Sequence, residues 1–338
     1  MKSASLASLG SVLPVKAVRG QAARPVRSKR DLMQAVLDLS TPPSYIPAGF
    51  FMHFGLRGDA AVKAHLDYLH ATGMDFVKIQ YDEQPLPPNN EIKTPADWAR
   101  LPVLGEGWFE PSLYLLRRLI EEAKSEALII QTVYSPIQLA TQAVPSALFV
   151  QHVKQDAELV CRGIENITLS LLNFVHAAAR LGVDGFYMCS QGGETNRIDD
   201  LALFDRAIKT YDMLLYKEAS RVAPSSIMHL CDYEGSYDKF AERFNDYPGQ
   251  AVNVPLSADA RPLSLKEASN LFKRPIMGGI DRHGIVTTGT PEQAKQATLA
   301  VLKEAPAHFI LGADCTVNAK TPLENLRAAI RTAHEYRN

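Results

Sequence analysis

His229 and Cys231 stand one residue apart in the segment Ser226-Ile-Met-His-Leu-Cys, and Cys315 follows 84 positions later in Ile310-Leu-Gly-Ala-Asp-Cys. Each lies at or just beyond the end of a short apolar run that reads as a buried strand. Strand side chains alternate with period two, so a His-x-Cys pair at a strand end points both groups toward one face. A third soft donor from a distant strand end would close a tripod. One nitrogen and two sulfurs leave a fourth position of a zinc tetrahedron open, as catalytic sites do. Two buried cysteines and a core histidine would use the same residue types. What separates the two readings is whether the chain brings all three positions to one rim.

The elements that would do this follow from Pro47 onward, where apolar runs alternate with amphipathic stretches. The strand-like runs are Ala48–Phe54, Asp75–Ile79, Ala127–Tyr134, Asp184–Met188, Ser226–Leu230, Ala251–Val254, Pro275–Gly278 and His308–Leu311. Helical stretches follow them: Asp59–Ala71, Pro111–Ser125, Gln151–Leu181, Leu201–Val222, Tyr237–Asn245, Leu265–Phe272, Pro291–Lys303 and Pro322–Glu335. Thr290-Pro-Glu and Thr321-Pro-Leu-Glu place Thr at an N-cap, Pro at the first helical position and an acid in the first turns. Strands interleaved with helices mean a parallel sheet. Eight such units predict a closed (β/α)₈ TIM barrel; a doubly wound open sheet is the alternative, and no Gly-x-Gly-x-x-Gly follows the first run.

Chemistry in such a barrel sits at the C-terminal ends of the strands. Those ends collect His53; Lys78, Tyr81 and Asp82; Thr132 and Tyr134; Gln191 and Glu194; His229, Cys231, Asp232 and Glu234; Asn253; Asp281 and Arg282; and Asp314 and Cys315. Asp281, Arg282, Gln191 and Asp314 are the expected catalytic set. The Arg282 fork could orient a carboxylate, or Asp281 and Arg282 could form a structural pair. Asp232, Glu234 and Asp314 are candidates to steady a metal ligand or take a proton, or they are loop acids and helix caps. Gly192 and Gly193 beside Gln191 permit close backbone approach, or a plain turn. His53, Lys78 and Tyr134 are expected to hold a cofactor, provided the strand register places them at the rim, and Tyr187 to line the same pocket. Cys161 and Cys189 have no partner pattern and stay unassigned.

With 338 residues, 46% hydrophobic and 22% charged, the chain can build a sizeable core. A net charge of −1 offers no basic surface for nucleic acid, and no apolar run reaches membrane-spanning length. Four cysteines in a chain of this size argue against a disulfide scaffold and for a reducing compartment, the cytoplasm. Residues 1–30 stand apart: seven Lys and Arg, several Ser and Ala, and no acid. They read as a basic, disordered leader before a domain over 31–338, with residues 1–28 dispensable to it. A mitochondrial transit peptide has the same composition, and so would a stretch upstream of the true start.

At this point the motifs resemble the uroporphyrinogen decarboxylase-like superfamily. That group includes the decarboxylase and zinc methyltransferases related to methylcobamide:coenzyme M methyltransferase and cobalamin-independent methionine synthase. The resemblance covers roughly residues 31–336. It is carried by Ile46-Pro-Ala-Gly-Phe-Phe-Met-His-Phe, Thr72-Gly-Met-Asp-Phe-Val-Lys-Ile, Gln131-Thr-Val-Tyr-Ser-Pro, Ser190-Gln-Gly-Gly-Glu, Met228-His-Leu-Cys, Met277-Gly-Gly-Ile-Asp-Arg and Phe309-Ile-Leu-Gly-Ala-Asp-Cys. It implies a (β/α)₈ barrel. Decarboxylases of the group carry an arginine-rich Met-Arg-Gln-Ala-Gly-Arg-Tyr segment after the first strand to hold tetrapyrrole carboxylates. Here that place reads Phe51-Met-His-Phe-Gly-Leu-Arg, with Arg57 alone. The methyltransferase branch carries a His-x-Cys and a distant Cys as zinc ligands, which His229, Cys231 and Cys315 match. The methionine synthase type adds a Glu about twenty residues after the first Cys, where this chain has Asn253.

The resemblance therefore implies a zinc-dependent methyltransferase acting on a small thiol. A corrinoid-binding Asp-x-His-x-x-Gly signature is absent from all nine histidine contexts. A methyl-corrinoid donor would then come from another protein or as a free cofactor, and a methylated small molecule or a folate could serve instead. The rival readings are a lyase acting on a carboxylated substrate and a corrinoid- or tetrapyrrole-binding protein without turnover.

Overall fold

The computed structural model describes residues 28–40, 42–80, 91–233 and 235–337. Among the described residues nine strands form: β1 Phe76–Ile79, β2 Leu128–Tyr134, β3 Gly185–Ser190, β4 Ile227–Leu230, β5 Ala251–Asn253, β6 Ser257–Ala258, β7 Arg261–Pro262, β8 Ile276–Ile280 and β9 Phe309–Ala313. Seven of them make one parallel sheet in the order β1-β2-β3-β4-β5-β8-β9. Nearly every residue of these strands is buried, as expected of a parallel sheet covered on both faces. The sheet order follows chain order because each crossover is a helix, and consecutive parallel strands need one. β6 and β7 form a small antiparallel hairpin that periodicity does not reveal. Its turn residues Asp259 and Ala260 both have positive φ, 52° and 55°, the turn geometry that suits the twist of a two-residue hairpin.

Seven of the eight expected parallel strands form. The run Ala48–Phe54 does not become a strand; only Ala48 bridges to Leu311. Pro47 has no N–H to give, and the Ala48 N–H goes to the Asp75 carboxylate at 2.7 Å instead of to a ladder partner. This irregular segment still bonds in both directions: Gly49 N–H and Leu311 N–H pair with Leu311 and Pro47 carbonyls, and Asp75 N–H with the Ala48 carbonyl. The sheet is thus seven-stranded, with segment 47–49 between β9 and the start of β1 where an eighth strand of a closed barrel would run.

The helices follow the expected stretches with two breaks. The stretch expected as one helix over Gln151–Leu181 is two helices, Ser146–Gln155 and Ala157–Leu181, because Asp156 leaves helical geometry and its carboxylate caps the second at Leu159 N–H. The stretch Leu201–Val222 contains a π turn at Asp205–Lys209. A helix Lys29–Leu37 begins inside the segment assigned to the leader. It buries Met33, Val36 and Leu37, and Arg30 forms a two-pronged bond to Asp184 at 2.7 and 2.6 Å. The rest of the expected leader, residues 1–27, lies outside the described residues, as do Tyr81, Asp82 and Glu234. Among the described residues no helix is long and apolar enough to cross a membrane.

Candidate metal centre

Parallel register puts one residue from each of several strands at the same level. Tyr134 of β2 pairs with Cys189 of β3, Cys189 with His229 of β4, and His229 with Asn253 of β5. Register-paired residues share a face of the sheet, so Cys189, His229 and Asn253 form one row. Cys231 lies just past β4, its N–H held by the Ser190 carbonyl, and Cys315 lies two residues past β9. All of these positions are C-terminal strand ends.

The side chains meet as the spacing predicts, with one addition. Cys231 Sγ and Cys315 Sγ are 3.8 Å apart, and Cys315 also interacts with His229. Cys189, His229 and Cys231 form a trio whose donor atoms all lie within 4.8 Å of one another. All four cysteines of the chain are free thiols. His229 is 1% exposed and stacks on Tyr187 at 4.9 Å, yet its Nδ1 has no hydrogen-bond partner among the described residues. Hydrogen bonding to Cys189, with burial behind it, pushes the Cys231 thiol up; bonding to Cys231 and then burial do the same to Cys315. A buried cluster of neutral thiols beside an imidazole with an unpartnered nitrogen is a poor arrangement by itself. A bound divalent cation reverses it, because it stabilises thiolates and accepts the ring nitrogen. Sulfurs at about 2.3 Å from a tetrahedral zinc stand about 3.8 Å apart, which is the Cys231–Cys315 separation. The donor set therefore fits zinc.

A cavity of about 420 Å³ opens onto these donors. Of the expected site residues, His53, Lys78, Tyr134, Gln191, His229, Cys231, Arg282 and Cys315 line it. Lys78 projects from β1 over the rings of Tyr187 and Phe51, 4.7 and 5.2 Å from their centroids. His53 reaches Gln80 at 3.1 Å. Gln191 precedes Gly192, whose φ of +96° requires glycine.

Asp314 is buried behind the wall, where it accepts from the Arg282 backbone N–H at 2.7 Å and from Nη1 of the same residue. Arg282 Nη1 also donates to Asp232 at 3.1 Å. Burial works against the Arg282 charge, but Asp314, Cys315 and Asp232 outweigh it and raise its pKa. Nη2 of Arg282 has no protein partner among the described residues. Asp281, expected to act with Arg282, is exposed and does not line the cavity; it accepts from His283 N–H at 2.8 Å and shapes the turn. Glu194 is buried beside Arg197 and bonds Gly192 N–H, away from the cavity lining. Asn253 accepts from Tyr187 Oη and donates to the carbonyls of Met277 and Ala313, so its amide braces the strand ends. Sequence reasoning missed Cys189, and also Gln138, Tyr233, His283 and Thr316 in the lining.

Fold and site define a parallel α/β protein with a buried thiol and imidazole cluster at the C-terminal edge of its sheet. The chain belongs to the uroporphyrinogen decarboxylase (URO-D) family, whose sequence profile matches residues 65–336. No curated protein matches it significantly. Among solved structures it is similar to a methyltransferase from Methanosarcina mazei, at 15% identity and a TM-score of 0.71, covering 91% of this chain and 98% of that one. It is also similar to a candidate vitamin B12-independent methionine synthase from Listeria monocytogenes, at 14% identity and a TM-score of 0.50, covering 88% of this chain and 98% of that one. At these identities the likeness is one of fold.

Proposed function

We propose that this protein transfers a methyl group to the sulfur of a small thiol at a zinc centre held by His229, Cys231 and Cys315. The observation that carries the reading is the convergence of soft donors on one cavity that has few cations. Among the described lining residues Lys78 and Arg282 are the permanent cations, and Arg282 already bears two carboxylates. Arg57 does not line the cavity. Such a wall is poorly equipped to neutralise a polycarboxylate tetrapyrrole, which the decarboxylase reading requires. The shared fold with a methyltransferase supports the same choice.

When bound, zinc would hold a substrate sulfur as thiolate at neutral pH, which a free thiol with a pKa of about 8.5 does not achieve. The chain's own residues supply the rest. Tyr134 and Tyr187 wall the sulfur site, and Arg282, pinned by Asp232 and Asp314, presents Nη2 to an acidic group on the thiol. The thiol proton leaves to water, and a carbon–sulfur bond forms as the donor's bond to methyl breaks. A methyl-corrinoid brought by another protein is the proposed donor. The test is a panel of small thiols with methylcobalamin, read by mass spectrometry of the thioether. Thioether formation is expected, with no turnover of uroporphyrinogen. Absence of thioether with every thiol, together with carbon dioxide release from a carboxylated substrate, would replace this reading with the lyase.

A further inference from the structure

The metal centre proposed above uses three protein ligands, but four soft side chains stand together. Cys189 belongs to a trio with His229 and Cys231 whose donor atoms all lie within 4.8 Å of one another. It is 4% exposed and packs with Cys231, Cys315 and Tyr134 in a cluster separate from the main apolar core. Its sulfur reaches Gln191 Oε1 only at 4.0 Å, the far limit of a sulfur hydrogen bond. Its place is rigid: β3 continues to Ser190, and register sets Cys189 directly beside His229. On the other side of His229, Asn253 has its amide committed elsewhere. A fourth protein donor can therefore come from β3 and not from β5.

We infer that Cys189 is the fourth protein ligand, so that the resting metal sits in a closed set of three sulfurs and one imidazole nitrogen. The inference rests on the zinc reading. It differs from that reading in its consequence: a set of four protein donors holds zinc without water or substrate, and an incoming thiol must take the place of a protein ligand.

Zinc-edge X-ray absorption on the purified full chain decides it. The wild type is expected to show three sulfur neighbours and one nitrogen, and Cys189→Ser two sulfurs with a light atom gained. Cobalt(II) substitution gives a second readout: the sulfur-to-metal charge-transfer band should fall by about one third in Cys189→Ser. Cys161→Ser should leave both measurements unchanged, because that thiol lies away from the cluster against the Arg206 carbonyl. If Cys189→Ser fails to fold, the wild-type sulfur count decides alone. Two sulfurs in the wild type, unaltered in Cys189→Ser, would overturn the inference and leave the three-ligand centre standing. A chain that binds neither zinc nor cobalt would overturn both.

Discussion

Cys231 and Cys315 carry raised thiol pKa values when no cation is present, so a metal must displace protons to bind. The expected outcome is about one zinc per chain at neutral pH, lost progressively as pH falls and protons compete for the donors. Cys231→Ser and Cys315→Ser should each lose most of the metal while keeping the circular dichroism of the parent. Full occupancy in both variants, measured by elemental analysis, would remove these residues from the centre. Arg282 makes a different prediction. Its Nη1 serves Asp232 and Asp314 together, and Nη2 has no partner among the described residues; a lysine ammonium cannot reproduce that fork. Arg282→Lys should raise KM for a thiol with an acidic tail about 10-fold and leave KM for an uncharged thiol nearly unchanged. Equal effects on both would show that Arg282 only supports the wall. The tripod residues were legible because His-x-Cys at a strand end has a direction. Cys189 was not, because the predicted strand stopped at Met188, one residue short of it.

Strand and helix boundaries explain most of the remaining differences. Buried runs such as Leu128–Tyr134 and Phe309–Ala313 announce themselves by composition. The run Ala48–Phe54 has the same composition, but the side chain of Asp75, 27 residues on, takes a backbone N–H that a ladder would need. The helix Lys29–Leu37 was hidden by the basic composition around it, although Ser28 and Asp31 form a capping box at its start. Its Arg30 matters because it neutralises a buried carboxylate: the Asp184 side chain is 6% exposed. Arg30→Ala should lower the stability by about 2 kcal/mol in urea unfolding, the range for leaving a mostly buried charge short of its partner. The cost is held down because Lys124 and the Ile129 N–H also reach Asp184. A change below about 0.5 kcal/mol would mean that this helix is not clamped to the sheet through that pair.

At the level of the whole molecule, one buried acid ties pH to stability. Asp212, from the helix Thr210–Val222, sits fully buried behind β3, where it accepts from Ser190 Oγ and Tyr247 Oη. Burial pushes its pKa up to about 7, against about 3.9 in an unfolded chain. Between these values the unfolded chain has released the proton and the folded chain keeps it. This group therefore makes stability fall as pH rises from about 4 to 7, with no further loss above. Asp212→Asn should flatten that slope. Relative to the parent, the variant should gain on the order of 4 kcal/mol between pH 4 and pH 8, read from denaturant midpoints across pH. Parallel pH curves for the two proteins would show that Asp212 stays ionised in the folded state.

The sequence by itself determined the alternation of strands and helices, the parallel sheet, and the convergence of His229, Cys231 and Cys315 on its C-terminal edge, because side-chain period and cap chemistry are local. It also determined the shortage of arginines near the first run, which is a matter of composition. Tertiary structure alone decided that Asp75 stops an eighth strand, that Arg282 pairs with Asp232 and Asp314 and not with its neighbour Asp281, and that Cys189 stands level with His229. Each of these depends on which distant residues lie across a strand boundary. A one-residue shift in register moves every side chain to the opposite face, and only the packed sheet sets that register.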